Sequence, residues 1–345
     1  MNRAPEFWWQ KDSLASRALW PLSVLYGAIA GHRMYKRPRL RSEVPVICVG
    51  NFTMGGAGKT PVAIAVVRML LEAGKKPAVL TRGYGGRLKG PVLADPAVHT
   101  AAHIGDEALL LATIAPVVVG GDRVAGAATA IEAGADVLVM DDGFQNHSLA
   151  KTLSFVVVDA AAGIGNGLVF PAGPLRAPLD TQLQFADAII AVGEGPVDAG
   201  LRAIAADYGI PLHAAVLAPQ NGAEFEGKRV LAFAGIGRPE KFFESLTACG
   251  ADVAGAPFSD HHVFTDAEAA KLLSRASSEG RELVTTEKDH ARMQAGSGAV
   301  QRLCEAARLL KVSIDFVDEA PKALVLAALA NHTARNAKKG WAKVK

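Results

Sequence analysis

Lys59 and Thr60 close the stretch Gly50-Asn-Phe-Thr-Met-Gly-Gly-Ala-Gly-Lys-Thr-Pro61. A lysine and a hydroxyl behind a run of glycines can hold a polyphosphate. Glycines let the backbone curl so that its N–H groups face phosphate oxygens. A helix starting at that point adds the partial positive charge of its N-terminus. In such a loop the lysine reaches the β- and γ-phosphates and the hydroxyl sits on Mg²⁺. Thr53, Met54, Gly55, Gly56, Ala57, Gly58, Lys59 and Thr60 are therefore the candidate phosphate-binding residues. The usual spacing puts a glycine about six residues before the lysine. Here that residue is Thr53.

Other groups could join the same chemistry. Val137-Leu-Val-Met-Asp-Asp-Gly143 is an apolar run ending in Asp141 and Asp142, the form of a strand whose acid holds a metal. On a continuing strand these two side chains point to opposite faces, and spacing leaves open which of them meets Mg²⁺. In His103-Ile-Gly-Asp-Glu107 the two acids read in either of two ways. They complement a helix N-terminus, or they accept a proton from a hydroxyl near the phosphates. Arg82, in Thr81-Arg-Gly-Tyr-Gly-Gly86, and Arg176, in Pro171-Ala-Gly-Pro-Leu-Arg176, offer anion contacts. A plain turn and a surface arginine are the alternatives. Ser259-Asp-His-His-Val-Phe264 sets two imidazoles beside a carboxylate, a common acid–base unit. Zinc fits poorly there, since no Cys or further His lies at ligand spacing. Thr285-Thr-Glu-Lys-Asp289 ends a strand with Lys288 between acids, and reads equally as a solvated charged turn.

These residues need a frame. Residues 46–49 form a short apolar strand before the loop, and 61–73 form an apolar helix stopped by Gly74-Lys75-Lys76. Strand, glycine turn, Lys-Thr and helix make the layout of a P-loop. Strands are expected at 78–80, 116–119, 136–140, 154–158, 188–192 and 212–217, with helices at 106–115 and 123–133. Near-continuous apolar strands between helices predict a parallel sheet covered on both faces. Such sheets bind ligands outside the carboxyl ends of their strands. The polar stretch 219–227 marks a boundary. Strands at 230–234, 282–285 and 312–317, with a helix at 239–248, predict a second, smaller α/β domain.

The chain has 345 residues, half of them apolar, which allows about two domains with large cores. A net charge of +3 implies no nucleic-acid partner. Cys48, Cys249 and Cys304 lie far apart and read as thiols in a reducing compartment. Phe7, Trp8, Trp9, Trp20 and Tyr26 crowd the N-terminus, and Arg33, Lys36, Arg37, Arg39 and Arg41 follow. The apolar part, 18–30, is too short to span a bilayer. Aromatic rings favour the headgroup zone and cations attract anionic lipids, so a helix in the membrane interface is expected. A signal peptide does not fit, because the positive charge follows the apolar run. The expected organisation is a membrane-associating amphipathic helix and basic segment at 1–44, a P-loop domain at 45–222, a smaller domain at 223–334 and a basic, fraying tail at 335–345.

Together these pieces resemble one family, the tetraacyldisaccharide 4'-kinases of lipid A biosynthesis. The matching stretches are 50–61, 81–86, Gly105-Asp-Glu107, Asp141-Asp-Gly-Phe-Gln145, 171–176, Phe233-Ala-Gly-Ile-Gly-Arg-Pro239, 260–264 and 285–289, in the family's order. Thr53 belongs to the family's own form of the loop, while Ala177 departs from the acid that often follows the arginine. The resemblance implies a P-loop NTPase-like, doubly wound sheet with the smaller domain closing over the nucleotide. It implies ATP and Mg²⁺, transfer to the 4'-hydroxyl of a tetraacyldisaccharide 1-phosphate, and no obligate protein partner. It places the protein on the cytoplasmic face of a Gram-negative inner membrane. Lys59, Asp106 as base and His261 (or His262) beside it become the catalytic residues; Thr60, Asp141 and Asp142 the metal residues; Arg82, Glu107, Gln145, Arg176 and Lys288 further candidates. The rival reading is a switching ATPase of the membrane surface. Those proteins carry a signature lysine where Met54 stands. A nucleotide-binding scaffold is the third reading.

Overall fold

The computed structural model describes residues 4–55 and 58–342, with 335–342 described by backbone alone. Among the described residues the strands form two sheets. In chain order they are β1 (Val46–Asn51), β2 (Pro77–Thr81), β3 (Val92–Leu93), β4 (Val117–Val119), β5 (Val137–Asp141), β6 (Leu153–Asp159) and β7 (Ala188–Val192). Then come β8 (Leu212–Pro219), β9 (Arg229–Ala234), β10 (Asp252–Pro257), β11 (Glu282–Thr286), β12 (Arg308–Leu310) and β13 (Val312–Phe316). The nine-stranded sheet runs β13-β8-β7-β6-β1-β5-β2-β4-β3, and the four-stranded one β10-β9-β11-β12. The larger is parallel except where β3 meets β4 and β13 meets β8. The smaller is parallel throughout.

Both faces of the large sheet are covered, as valine-rich strands demand. Alternate residues of β1 serve opposite layers. Ile47 and Val49 pack with Val62, Val66 and Leu70 of the helix Lys59–Glu72. Val46 and Cys48 pack with Ala127 and Leu201 on the other side. The helix after the glycine loop ends as expected, with Gly74 at φ +71 and Lys75 N–H on the Leu70 carbonyl.

The smaller domain ends earlier than 334. β13 pairs antiparallel with β8, so the chain returns to the large sheet. Val325, Ala328 and Leu329 of the helix Ala320–Ala342 then join the same cluster as Val62 and Ile64. An apolar strand beside either sheet has the same pattern, and pattern does not name its partner. That last helix reaches Ala342. The fraying expected over 335–345 is therefore corrected to helix for 335–342, and 343–345 lie outside the described residues. Thr285-Thr-Glu-Lys-Asp289 also differs from a charged turn: Thr286 caps a helix, Glu287–Met293, by accepting the Asp289 N–H at 3.1 Å.

The N-terminal helix, Leu14–Met34, packs by small residues. Ser16, Ser23, Gly27 and Gly31 face inward, and Ser23 Oγ donates to the Val169 carbonyl at 2.6 Å. A Cβ on Gly31 would already touch Pro178 at 3.4 Å, so bulk is kept off this face. Leu14, Trp20, Leu22, Val24, Leu25 and Ile29 are exposed. Among the described residues no helix is long and apolar enough to cross a membrane.

Candidate active site

The glycine loop leaves β1 at its carboxyl end. Asn51 folds it by donating from Nδ2 to the carbonyls of Thr53 (2.5 Å) and Gly55 (3.4 Å). Gly55 (φ +108) and Gly58 (φ +84) take left-handed conformations open to glycine. The Met54 N–H is not a free phosphate donor, contrary to expectation. Thr53 bridges to Leu175, and the Met54 N–H is held by the Pro174 carbonyl at 2.7 Å. Both pin the loop to 171–176. Gly56 and Ala57 lie outside the described residues.

Beyond Gly58 stand Lys59 and Thr60, on the first turn of their helix. Burial lowers the Lys59 pKa, and the nearby Asp142 opposes that shift. The Thr60 hydroxyl donates to Glu107 Oε1 at 3.0 Å. β5 lies beside β1 with Val49 opposite Asp141, which brings the acids to the loop. The chain turns there at Asp142, with φ +52, so the two carboxylates part. Asp142 accepts both arms of Arg176, at 2.8 and 3.2 Å, and faces Lys59 at 4.0 Å. Asp141 is 1% exposed, and neither of its oxygens has a hydrogen-bond partner among the described residues. Burial, with the Glu107 and Asp142 charges behind it, pushes its carboxyl up to about 7.

Asp106 and Glu107 begin the helix Asp106–Ala112. The smaller domain meets them with three side chains. Lys288 donates to Glu107 Oε1 at 2.5 Å. Arg292 Nε donates to Asp106 Oδ2 at 2.7 Å, and His261 Nδ1 lies 3.4 Å from the same oxygen. Asp106 is 4% exposed. Burial pushes its carboxyl up, but the His261 hydrogen bond and the Arg292 and Lys288 charges outweigh this and hold it well below the usual range. His261 is shifted up by the same hydrogen bond. His261 beside Asp106 could either orient it or raise its basicity; a donor on a carboxylate favours the ionised form, which leaves orientation.

The two imidazoles separate clearly. His262 bonds Glu268 at 3.0 Å and stacks on Phe258, away from Asp106. Tyr84 of the 81–86 loop lies against the His261 ring at 5.3 Å. Arg82 is exposed and makes no hydrogen bond or ion pair with the described residues. Arg176 is engaged with Asp142 and the Thr53 carbonyl rather than open to an anion. Gln145 braces β1 from behind, donating to the Asn51 carbonyl and to Gln182 Oε1.

Arg292 and Asp159 escaped sequence reasoning, and Asp289 entered it only as an acid beside Lys288. Arg292 follows Lys288 by one helical turn, a spacing that would have paired it with the same face. Asp289 is fully buried and accepts the Gly235 N–H. Asp159, at the end of β6, accepts Arg238 (2.6 Å) and Lys241 (2.8 Å) from the smaller domain. Among the described residues no group of three or more His, Cys, Asp or Glu could hold a metal unaided. Asp141 with two unpartnered buried oxygens, and the Thr60 hydroxyl, nonetheless suit a hard cation whose remaining ligands come from phosphate.

Residues 15–330 match the family model described as tetraacyldisaccharide-1-P 4'-kinase. The chain is 49% identical over 332 residues to the tetraacyldisaccharide 4'-kinase of Methylorubrum extorquens (strain PA1), covering 96% of this chain and 99% of that one. It is 51% identical over 332 residues to that of Methylobacterium nodulans, covering 95% and 96%. Its fold is similar to the crystal structure of LpxK from Aquifex aeolicus in complex with ATP, with a TM-score of 0.70, 24% identity, and coverage of 92% of this chain and 100% of that one.

Proposed function

The chain belongs to the tetraacyldisaccharide 4'-kinase family, and on that premise we propose how its own residues carry ATP-dependent phosphorylation of the 4'-hydroxyl of a tetraacyldisaccharide 1-phosphate in lipid A biosynthesis. The large sheet is a P-loop kinase domain. Lys59 and the free loop amides bind the β- and γ-phosphates, with the nucleotide at the carboxyl edge of the strands. Thr60 and Asp141 would hold Mg²⁺, which neutralises phosphate charge when bound. Asp142 keeps Arg176 and the loop in place instead. Asp106 accepts the hydroxyl proton as the 4'-oxygen bonds to the γ-phosphorus and the bond to ADP breaks. A weakly basic carboxylate suffices, because in a loose transition state the proton leaves late and position matters most. His261 orients that carboxylate.

The observation that carries this reading is the meeting of Lys59, Thr60 and Asp141 with Asp106 and the second-domain residues His261 and Lys288 at one sheet edge. Asp159 with Arg238 and Lys241 joins the domains on the other side of β1. Closure of residues 223–311 onto 45–222 would exclude water from the transfer. The outward apolar face of the N-terminal helix, with the cations at 33–41, supports seating at the membrane interface. For this activity that is the cytoplasmic face of the inner membrane, where an acylated substrate is reached without extraction.

The test is transfer of label from γ-labelled ATP, with Mg²⁺, into detergent-dispersed tetraacyldisaccharide 1-phosphate. Label in lipid that disappears with Lys59→Ala is the expected result. Label only in free phosphate, with or without lipid, would point to the switching ATPase instead.

A further inference from the structure

Two adjacent carboxylates start the helix Asp106–Ala112, and two cations one turn apart on the helix Glu287–Met293 meet them, Lys288 on Glu107 and Arg292 on Asp106. The second contact is the more tightly built. The Arg292 side chain is 7% exposed and Asp106 4%. Nε of Arg292 donates to Asp106 Oδ2 at 2.7 Å, and Nη2 lies 2.5 Å from the same oxygen as an ion-pair contact without hydrogen-bond geometry. Nη1 donates to Asp289 Oδ1 at 2.6 Å and to the Gly235 carbonyl at 2.7 Å. Asp289 is fixed in turn by the Gly235 N–H and the Thr286 hydroxyl. The Gly235 carbonyl also takes the His261 N–H at 3.0 Å. Both groups that touch Asp106 from the smaller domain are thus tied to one carbonyl.

We infer that Arg292 is a positioning residue: held by Asp289 and Gly235, it fixes the orientation of the Asp106 carboxylate toward His261 and the acceptor hydroxyl. A buried ion pair is a poor source of stability, since desolvation offsets its attraction. A planar guanidinium held at Nη1 by Asp289 and the Gly235 carbonyl is a good source of direction, because it can present Nε to the carboxylate in few orientations. The pair also crosses the domain interface, so Asp106 is correctly aimed only while the smaller domain is docked. The inference rests on Asp106 being the proton acceptor.

Arg292→Ala, Arg292→Lys and Asp106→Ala, each in the full chain, are compared in the lipid-transfer assay, with and without non-denaturing guanidinium ion. Arg292→Ala is expected to lower kcat about 100-fold, with KM for ATP held within about threefold, the scale of loss that misplacing a reacting group produces. Guanidinium restores Arg292→Ala at least about tenfold and leaves Asp106→Ala unchanged, and lysine restores only part. A fall in kcat under about threefold overturns the inference, as does one that guanidinium fails to reverse. Should Arg292→Ala not fold, Arg292→Lys decides: parental kcat overturns the inference, and a reduced kcat at parental KM supports it. Asp106→Ala separates the two levels. Parental transfer by that variant removes the base itself, whereas its collapse beside a normal Arg292→Ala removes Arg292 alone.

Discussion

Asp106 and Asp141 are both buried carboxylates of one site, and their surroundings treat them in opposite ways. Asp106 is met by Arg292, His261 and the Glu107 N–H. Asp141 meets no hydrogen-bond donor among the described residues. The first is held ionised well below the usual range; the second is pushed up to about 7, first by burial. An environment that supplies every partner has settled the group's orientation before any ligand arrives. One that supplies none leaves a demand that only a ligand can meet. Paired titratable groups driven apart in this manner mark different roles in one reaction. Here one side of the site is finished by the protein and the other by what it binds.

The comparison breaks most visibly at Asp106. Asp106→Ala should lower kcat about 1000-fold while KM for ATP stays close to parental, because proton acceptance is lost and the phosphate loop is untouched. Equal loss of ATP binding would remove its distinct role. Asp141→Asn should lower transfer about 100-fold yet stabilise the protein without nucleotide or metal. The sign follows from the raised carboxyl. Folding disfavours its ionised form, so the penalty is complete above about pH 7 and fades toward the ordinary value of 3.8. Calorimetry should then show a Tm gain of about 5 °C at pH 8, and a smaller gain at pH 5. Equal gains at both pH values would mean that Asp141 carries no such penalty.

The same contrast explains what could be read from the chain. The loop, the strands flanking it and the acids at the end of β5 are local in sequence, so periodicity and glycine spacing expose them. The return of β13 to the large sheet is not local: Ile314 alternates with polar neighbours as it would on either sheet edge. Arg292 lay hidden for a related reason. In Glu287-Lys-Asp-His-Ala-Arg292 a charged run looks solvated until the domains meet and bury it. Thr286 before Asp289 was a readable helix cap, and with the helix placed, Lys288 and Arg292 fall on one face. Arg176 differs in the other direction. Its loop reads as a ligand loop, but its fork is closed on Asp142.

A smaller effect is expected where the domains touch away from the acids. The Asp159 side chain is 11% exposed and joins Arg238 and Lys241 across the interface. Asp159→Ala leaves two partly exposed cations without their acceptor, and should reduce stability by about 1–2 kcal/mol in urea unfolding. It should also raise KM for ATP a few-fold with kcat little changed, since docking weakens while the aim of Asp106, once docked, does not. A kcat loss as large as that of Arg292→Ala would show that the interface acts as one unit and erase the division between holding and aiming.

The smallest change in stability should come from the N-terminal helix, where inside and outside are exchanged relative to an ordinary surface helix. Its inward side is Ser16, Ser23, Gly27 and Gly31, and its outward side carries Trp20, Leu22 and Leu25, 55–62% exposed. In water those three bury little, so replacing each with serine should alter unfolding free energy by no more than about 0.5 kcal/mol. Ser23→Ala, on the packed side, loses the bond to the Val169 carbonyl and should cost about 1 kcal/mol. Binding to anionic phospholipid vesicles reverses the order: the triple serine variant should lose sedimentation with vesicles while Ser23→Ala keeps it. If both variants sediment like the parent, the exposed face is not what holds the protein at a lipid surface, and the cations at 33–41 alone would have to do so. Loss in the triple variant alone shows that a helix contributing little to its own fold is kept apolar for the surface it meets.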